Sequence, residues 1–279
     1  MSDNDKTQAQ KMQILRDEIN QVDGALLDLI AERMDLARAV RQAKSGIDVW
    51  CPSREESHVR DLARKAGETP PDLVSRIWAE LTSASLTLQG PIQLHVAISG
   101  DALSYWQLVR DRFGASIPVL TYPTASAALA AAHADAEGVA VLPAPGGMNT
   151  WWLALGPDGA ASDMSILSAL PRVGKWKWPL AVAVSKAERV SSGNDHTLIY
   201  VNISELTPLQ TLEHIFKKAG IEAIPRAEVN DHKLYSIPDY MEETDTAYHI
   251  IKSAFKQVKI IGLLPSPITT ECDDNHVDF

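Results

Sequence analysis

One stretch constrains this chain more than any other: LRDEINQVDGALLDLIAERMDLARAVRQAK, from Leu15 to Lys44. Leu15, Ile19, Val22, Leu26, Leu29, Ile30, Leu36, Ala37 and Val40 recur there at steps of three and four, and no proline interrupts them. The spacing predicts one long amphipathic helix with a continuous apolar stripe, Gly24 being its weak point. Its cations are informatively placed. Arg33 and Lys44 are 11 positions apart, which at ~100° per residue brings them within ~20° of one face and ~16 Å apart along the axis. Two such cations can flank one small anion. Arg16 lies 17 positions before Arg33, ~25 Å away and rotated by ~100°. If Arg16 serves the same ligand, it must come from another copy of the helix.

Residues 1 to about 10 read as a frayed tail, and Ser45-Gly46 supplies the stop of the long helix. Pro52-Ser53 followed by Glu56 predicts a second helix over about 54–66, with Ser53 as its cap and Glu56 closing a capping box. Arg54 and Glu55 then fall in its first turn. After the turn Gly67-Glu68-Thr69-Pro70-Pro71, a third helix is expected over about 72–88 with Leu73, Ile77, Leu81 and Leu88 as its stripe. Ser85 and Gln89, at i and i+4, are neighbours near its end. Three helices of such unequal length cannot enclose the stripe of the first, so a second chain is expected to cover it in a homodimer.

At Gly90-Pro91 the pattern changes to short apolar runs alternating with helical ones. The runs at 94–98, 118–122 and 138–143 read as buried strands, with helices around 102–113 and 124–136 between them. This βαβαβ order predicts a parallel sheet. SILSAL and PLAVAV add one helix or strand and one further strand. From about His196 the order becomes strand, helix ending at Gly220, two strands, helix and closing strand, which fits a ferredoxin-like module. The last residues, TTECDDNHVDF, read as a disordered acidic tail.

The length of 279 residues suits about two domains. The N-terminal MSDNDKTQAQ lacks the apolar core of a signal peptide, and no apolar run approaches a membrane span, so a soluble cytoplasmic protein is expected. Cys51 and Cys272 fit no zinc or disulfide spacing. A net charge of −10 opposes nucleic-acid binding, so an anionic ligand needs a local pocket.

The motifs LRDEIN, LLDLIAERMDLARAV, AK, SREE and SLTLQ, over about residues 11–90, resemble the all-helical (AroQ) class of chorismate mutase in the form that opens the bifunctional chorismate mutase and prephenate dehydratase proteins. The resemblance implies rearrangement of chorismate to prephenate in phenylalanine and tyrosine biosynthesis. That reaction is a concerted shift within one substrate and calls for no nucleophile, metal or organic cofactor. The work is positional and electrostatic. Carried over, Arg33 and Arg16 of the partner chain bind the substrate carboxylates, Lys44 and Gln89 donate to the ether oxygen, and Glu55 accepts from the ring hydroxyl. Arg54 and Ser85 complete the pocket. The connection from Lys44 to Arg54 is about two residues shorter than in those relatives, and Cys51 stands where they carry an acid.

Residues 91–190 resemble a shortened first lobe of prephenate dehydratase through ISGDALSYWQLVRDRFG and PVLTYPTASAALAA. The Pro-Ile-Glu-Asn signature is replaced by Leu142-Pro143-Ala144-Pro145, and no Thr-Arg-Phe motif precedes PLAVAV, so no dehydratase activity is expected. Residues 195–266 resemble an ACT domain, ending in KIIGLLPSP, and residues 267–279 form the acidic tail. Its effector segments are altered to TPLQ and AIPRAEV, which leaves an aromatic amino acid effector as the lesser expectation and dimer packing as the greater. The expected architecture is therefore an all-α helical module, a small α/β domain and an α+β ferredoxin-like domain. Two alternatives are an isochorismate pyruvate lyase, which shares the helical fold, and a non-catalytic sensor of an aromatic-pathway metabolite. The long appendage argues against the first, and the joint presence of Lys44 and Gln89 against the second.

Overall fold

The computed structural model describes residues 3–43, 49–98, 100–203 and 209–269. Three helices open the chain: α1 (Asp3–Ala43), α2 (Pro52–Lys65) and α3 (Pro71–Gln89). The expected frayed tail is a correction, because α1 already begins at Asp3. Lys44, the expected stop at Ser45-Gly46 and most of the acidic tail lie outside the described residues.

The helix boundaries follow local chemistry. In α2 the proline sets the start: Pro52 occupies the first helical position, where its missing N–H costs nothing, and Cys51 is the N-cap without a side-chain cap bond. The expected Ser53 cap and Glu56 capping box are therefore not formed. Ser53 and Glu56 are buried instead, and Glu56 is taken by ion pairs described below. In α3 the inward face carries Val74, Ser75, Ala79, Ser83, Ser85 and Leu86, while the expected stripe residues Leu73, Ile77 and Leu88 are exposed.

Along α1 nearly every apolar residue is open. Leu26, Leu29 and Leu36 are 51%, 62% and 61% exposed, and Ala37 is the one apolar residue of the stripe that is buried. Only the last third of the helix meets α3. The stripe read from the sequence is thus a real surface, and within one chain it has no cover.

The sheet strands are β1 (Gln93–Ala97), β2 (Val119–Tyr122), β3 (Gly138–Pro143), β4 (Ser165–Leu170), β5 (Ala181–Ser185), β6 (Asp195–Asn202), β7 (Ile224–Val229), β8 (His232–Ile237) and β9 (Gln257–Pro265). Helices α4 (Ala102–Phe113) and α5 (Ala125–Ala134) and a short 3-10 helix, Trp151–Leu155, lie among β1 to β4; α6 (Leu209–Lys218) and α7 (Thr246–Ala254) lie among β6 to β9. The order across the sheet is β2-β1-β3-β5-β4-β9-β6-β8-β7. The expected parallel βαβαβ unit is the β2-β1-β3 end. The β9-β6-β8-β7 end is all antiparallel, in the split-βαβ arrangement of a ferredoxin-like module.

The two ends are not separate sheets. β5 and β4 turn antiparallel after β3, and β4 then runs beside β9 with Ile166 opposite Gly262. The expected division near residue 190 is therefore no break in the sheet. Alternation sorts the core: Val139 and Val141 face α4 and the helical module, while Ala140 and Leu142 face α5 and the 3-10 helix. A third core forms between β6, β8 and β9 and helices α6 and α7.

Gly262 is what lets the two ends close. A Cβ there would stand 2.5 Å from the Ile166 carbonyl oxygen and 2.7 Å from its Cβ. Gly262→Ala is expected to cost about 1–3 kcal/mol through forced separation of β4 and β9, read as a lower denaturant midpoint; an unchanged midpoint would show that the strands tolerate the extra width.

Candidate active site

The end of α1 crosses α3, and α2 closes the third side, leaving a cleft of about 330 Å³. Arg33, Arg54, Glu55, Ser85 and Gln89 all line it, with His58, Cys51, Trp50 and the apolar Leu36, Ala37, Val40 and Leu86. Residues separated by up to 56 positions in the chain are thus brought to one place, Arg33 from α1, Arg54 and Glu55 from α2, and Ser85 and Gln89 from α3. Arg16 is exposed and does not line this cleft. It stands ~25 Å down the helix from Arg33.

Arg33 is held from behind. Its Nη1 donates to Leu81 O at 2.8 Å and to Ser85 Oγ at 2.5 Å, and Ser85 Oγ donates to Leu81 O at 2.7 Å. Its Nε and Nη2 make no hydrogen bond among the described residues, which leaves one side of the guanidinium fork for a carboxylate. Ser85 therefore acts first on Arg33. The Gln89 backbone carbonyl accepts from Arg41 Nη1, pinning the last turn of α3 to α1.

The electrostatics favour an anion. Burial, and then Arg33 and Arg54, push the His58 pKa down, so the imidazole stays neutral beside two guanidiniums. Among the described lining residues Glu55 is the one acid. Its carboxylate does not balance Arg33 or Arg54, because it is engaged elsewhere.

Glu55 and Glu56, in the first turns of α2, meet two arginines from the sheet half. Glu55 Oε1 lies 2.6 Å from Arg112 Nη1 and 2.5 Å from Arg172 Nη2. Glu56 Oε1 lies 3.1 Å from Arg172 Nε and 2.8 Å from Arg112 Nη2, the latter outside hydrogen-bond angles. Arg112 Nε donates to Ser168 Oγ at 2.9 Å, and Trp50 Nε1 donates to Glu55 Oε2 at 3.1 Å. The side chains of Arg112, Arg172, Glu56 and Glu55 are only 1%, 2%, 3% and 9% exposed. Burial raises the Glu55 pKa, but Arg112, Arg172 and the Trp50 hydrogen bond more than offset it and hold the carboxyl below its usual range.

Sequence reasoning did not find Arg112, Arg172 or Trp50. Arg112 left one trace, since Val109, Arg112 and Phe113 share a helix face and all three are buried. Arg172, just past β4, left none. Among the described residues, no group of three or more His, Cys, Asp or Glu side chains is arranged to hold a metal ion, and no helix is long and apolar enough to cross a membrane.

Residues 15–90 match the family model described as chorismate mutase type II. The match takes in α1 from Leu15, α2 and α3 and stops before the sheet. The curated T-protein of Enterobacter agglomerans is 38% identical over 77 residues, 26% of this chain and 21% of that protein. The chain thus spans about a fifth of the length of that relative. Two solved chains also align over 62% of this one: the prephenate dehydratase of Streptococcus mutans, 10% identical over 97% of its length with a TM-score of 0.46, and GqqA, a quorum-quenching acylase, 14% identical over 95% with a TM-score of 0.42. Superpositions that loose assign nothing to the sheet half. The matched segment ends at α3, so both arginines that grip Glu55 lie outside it.

Because the paired Glu55 has a folded pKa below its unfolded value near 4.3, its contribution is present above that value and is lost as pH falls through the folded one. The melting temperature of the wild type is expected to fall more steeply between about pH 5 and 3 than that of Glu55→Gln. Parallel curves would show that Glu55 carries no such linkage.

Proposed function

We propose that this protein is a dimeric cytoplasmic chorismate mutase, converting chorismate to prephenate. The observation that carries the reading is the meeting of Arg33, Arg54, Glu55, Ser85 and Gln89 in one cleft within a type II chorismate mutase segment. Arg33, backed by Ser85, binds one substrate carboxylate with the open side of its fork, and Arg54 adds positive charge at the rim. Gln89 and Lys44 donate to the ether oxygen as negative charge develops there, and Glu55 accepts from the ring hydroxyl.

Arg16 completes the pocket from the partner chain. Two features support that assignment: its distance from the cleft, too great for one side chain to span, and the uncovered stripe of α1, which a second α1 would bury. Cys51, Val49 and Leu36 in the lining keep the pocket apolar around the reacting carbons. The C-terminal βαββαβ region is assigned an ACT-like role in dimer packing, with an aromatic amino acid effector as the lesser reading. The dehydratase reaction is assigned as absent, because the signature segments expected for it are replaced.

Purified protein incubated with chorismate is expected to yield prephenate, with phenylpyruvate formed only after acidification. Enzymatic phenylpyruvate would overturn the assigned lack of dehydratase activity, and no loss of chorismate would overturn the mutase reading. Arg33→Ala is expected to lower kcat/KM by at least about 100-fold while the fold is kept. Mixing Arg16→Ala with Arg33→Ala subunits is expected to restore part of the activity, since some heterodimer pockets would contain both arginines; no recovery despite demonstrated subunit exchange would remove the trans role.

A further inference from the structure

Glu55 belongs to two places at once. It lines the cleft between α1, α2 and α3, and it closes the buried ion cluster with α4 and the loop after β4. A carboxylate offers about four acceptor positions. Oε1 uses two, on Arg112 Nη1 at 2.6 Å and Arg172 Nη2 at 2.5 Å, and Oε2 uses one, on Trp50 Nε1 at 3.1 Å. One position is left, on Oε2.

We propose that Arg112 and Arg172 are positioning residues for the mutase cleft: from the sheet half, they fix Glu55 as an ionised acceptor with a single open position for a substrate hydroxyl. The inference rests on the mutase reading above and makes the sheet half a part of the helical module's site. Burial by itself would drive Glu55 to take up a proton, and an unheld Glu55 carboxylate would turn to the cleft's own cations. Either outcome defeats the site. A protonated Glu55 is a poor acceptor, and a Glu55 paired with Arg33 or Arg54 cancels the charge that substrate carboxylates need.

The surroundings of Glu55 fit this role from every side. From α2 come Glu56, Arg54 and His58, from α1 Arg33, from α4 Arg112, and from the β4 side Ser168 and Arg172. Glu56 takes the neighbouring nitrogens of the same two guanidiniums, and Ser75 Oγ accepts from Arg172 Nη1 at 3.4 Å, so both arginines are held away from the cleft. Two positive and two negative charges leave the cluster neutral. The field of Arg33 and Arg54 in the cleft is thereby left intact.

The test compares kcat and KM for chorismate from pH 5 to 8 in the full chain. The variants are Glu56→Gln with Arg172→Gln, which removes one charge of each sign and keeps the cluster balanced, and Arg112→Lys, which keeps the charge but loses the fork. Circular dichroism and a cooperative melt establish that each is folded. In the wild type kcat/KM should be flat to pH 5. Both variants should show KM raised about tenfold, the size of one charge-assisted hydrogen bond, and the balanced double variant should acquire a fall in kcat/KM on the acid side. Adding Glu55→Gln to the double variant should abolish that fall. A merely structural cluster would change activity equally at every pH, and folded variants with wild-type KM and a flat profile would overturn the proposal. Should the double variant not fold, Arg112→Lys decides by its KM alone. No turnover by the wild type would instead sink the mutase reading, and this inference with it.

Discussion

The structure depends on one buried cluster, in which Glu55 and Glu56 of α2 face Arg112 of α4 and Arg172 beyond β4. Taking four charges out of water is costly, and their mutual attraction returns that cost only when geometry and hydrogen bonds are complete. Here each arginine meets both carboxylates, and Ser168, Ser75 and Trp50 take up further donors and acceptors. Loss of any one partner leaves an uncompensated buried charge, worth about 3–5 kcal/mol, so a docking of the helices on the sheet that separates these four side chains is disfavoured by that much.

That docking is reinforced at weaker points around it. Arg60 of α2 donates to Ser266 O at 2.9 Å, beyond the end of β9. The loop after α4 is tied to α3, where Glu80 Oε2 accepts from Ala115 N at 2.9 Å and Ser83 Oγ from Ser116 N at 3.0 Å. Helices α2 and α3 are therefore part of the sheet's coat, while most of α1 stands clear of it. The cleft forms where the free helix crosses the anchored pair. A ligand there touches a rigid wall, from α2 and α3, and a strut whose other end is open to a second chain.

The resulting charge distribution is uneven in a useful way. A chain of net charge −10 repels anions in bulk, yet its cleft holds Arg33 and Arg54 with their positive charge unspent. It can do so because the acid that lines the cleft, Glu55, is occupied by arginines from behind. The sheet half thus sets the electrostatics of a pocket whose walls are helical. The same half is one continuous nine-stranded sheet, with the parallel end and the antiparallel end joined where Gly262 passes Ile166.

Much of this was legible in the sequence. The apolar repeat of α1, the strands at 94–98, 118–122 and 138–143, and the β-rich order after His196 follow from periodicity, because periodicity is set by local backbone geometry. Arg33, Arg54, Glu55, Ser85 and Gln89 were legible as a set because their order and spacing carry a family pattern. What sequence could not decide were choices made by distant parts of the chain. By pattern Glu56 fits a capping box as well as an ion pair, and only the arrival of Arg112 and Arg172, 56 and 116 positions away, selects the second. The apolar faces of α3 could have pointed either way until α4 took one of them. The two β regions read as separate domains because strand pairing between β4 and β9 leaves no local trace. Sequence determined the elements, since they are fixed by near neighbours. Tertiary structure alone decided which charges are spent and which remain for a ligand, since that depends on what is packed behind them.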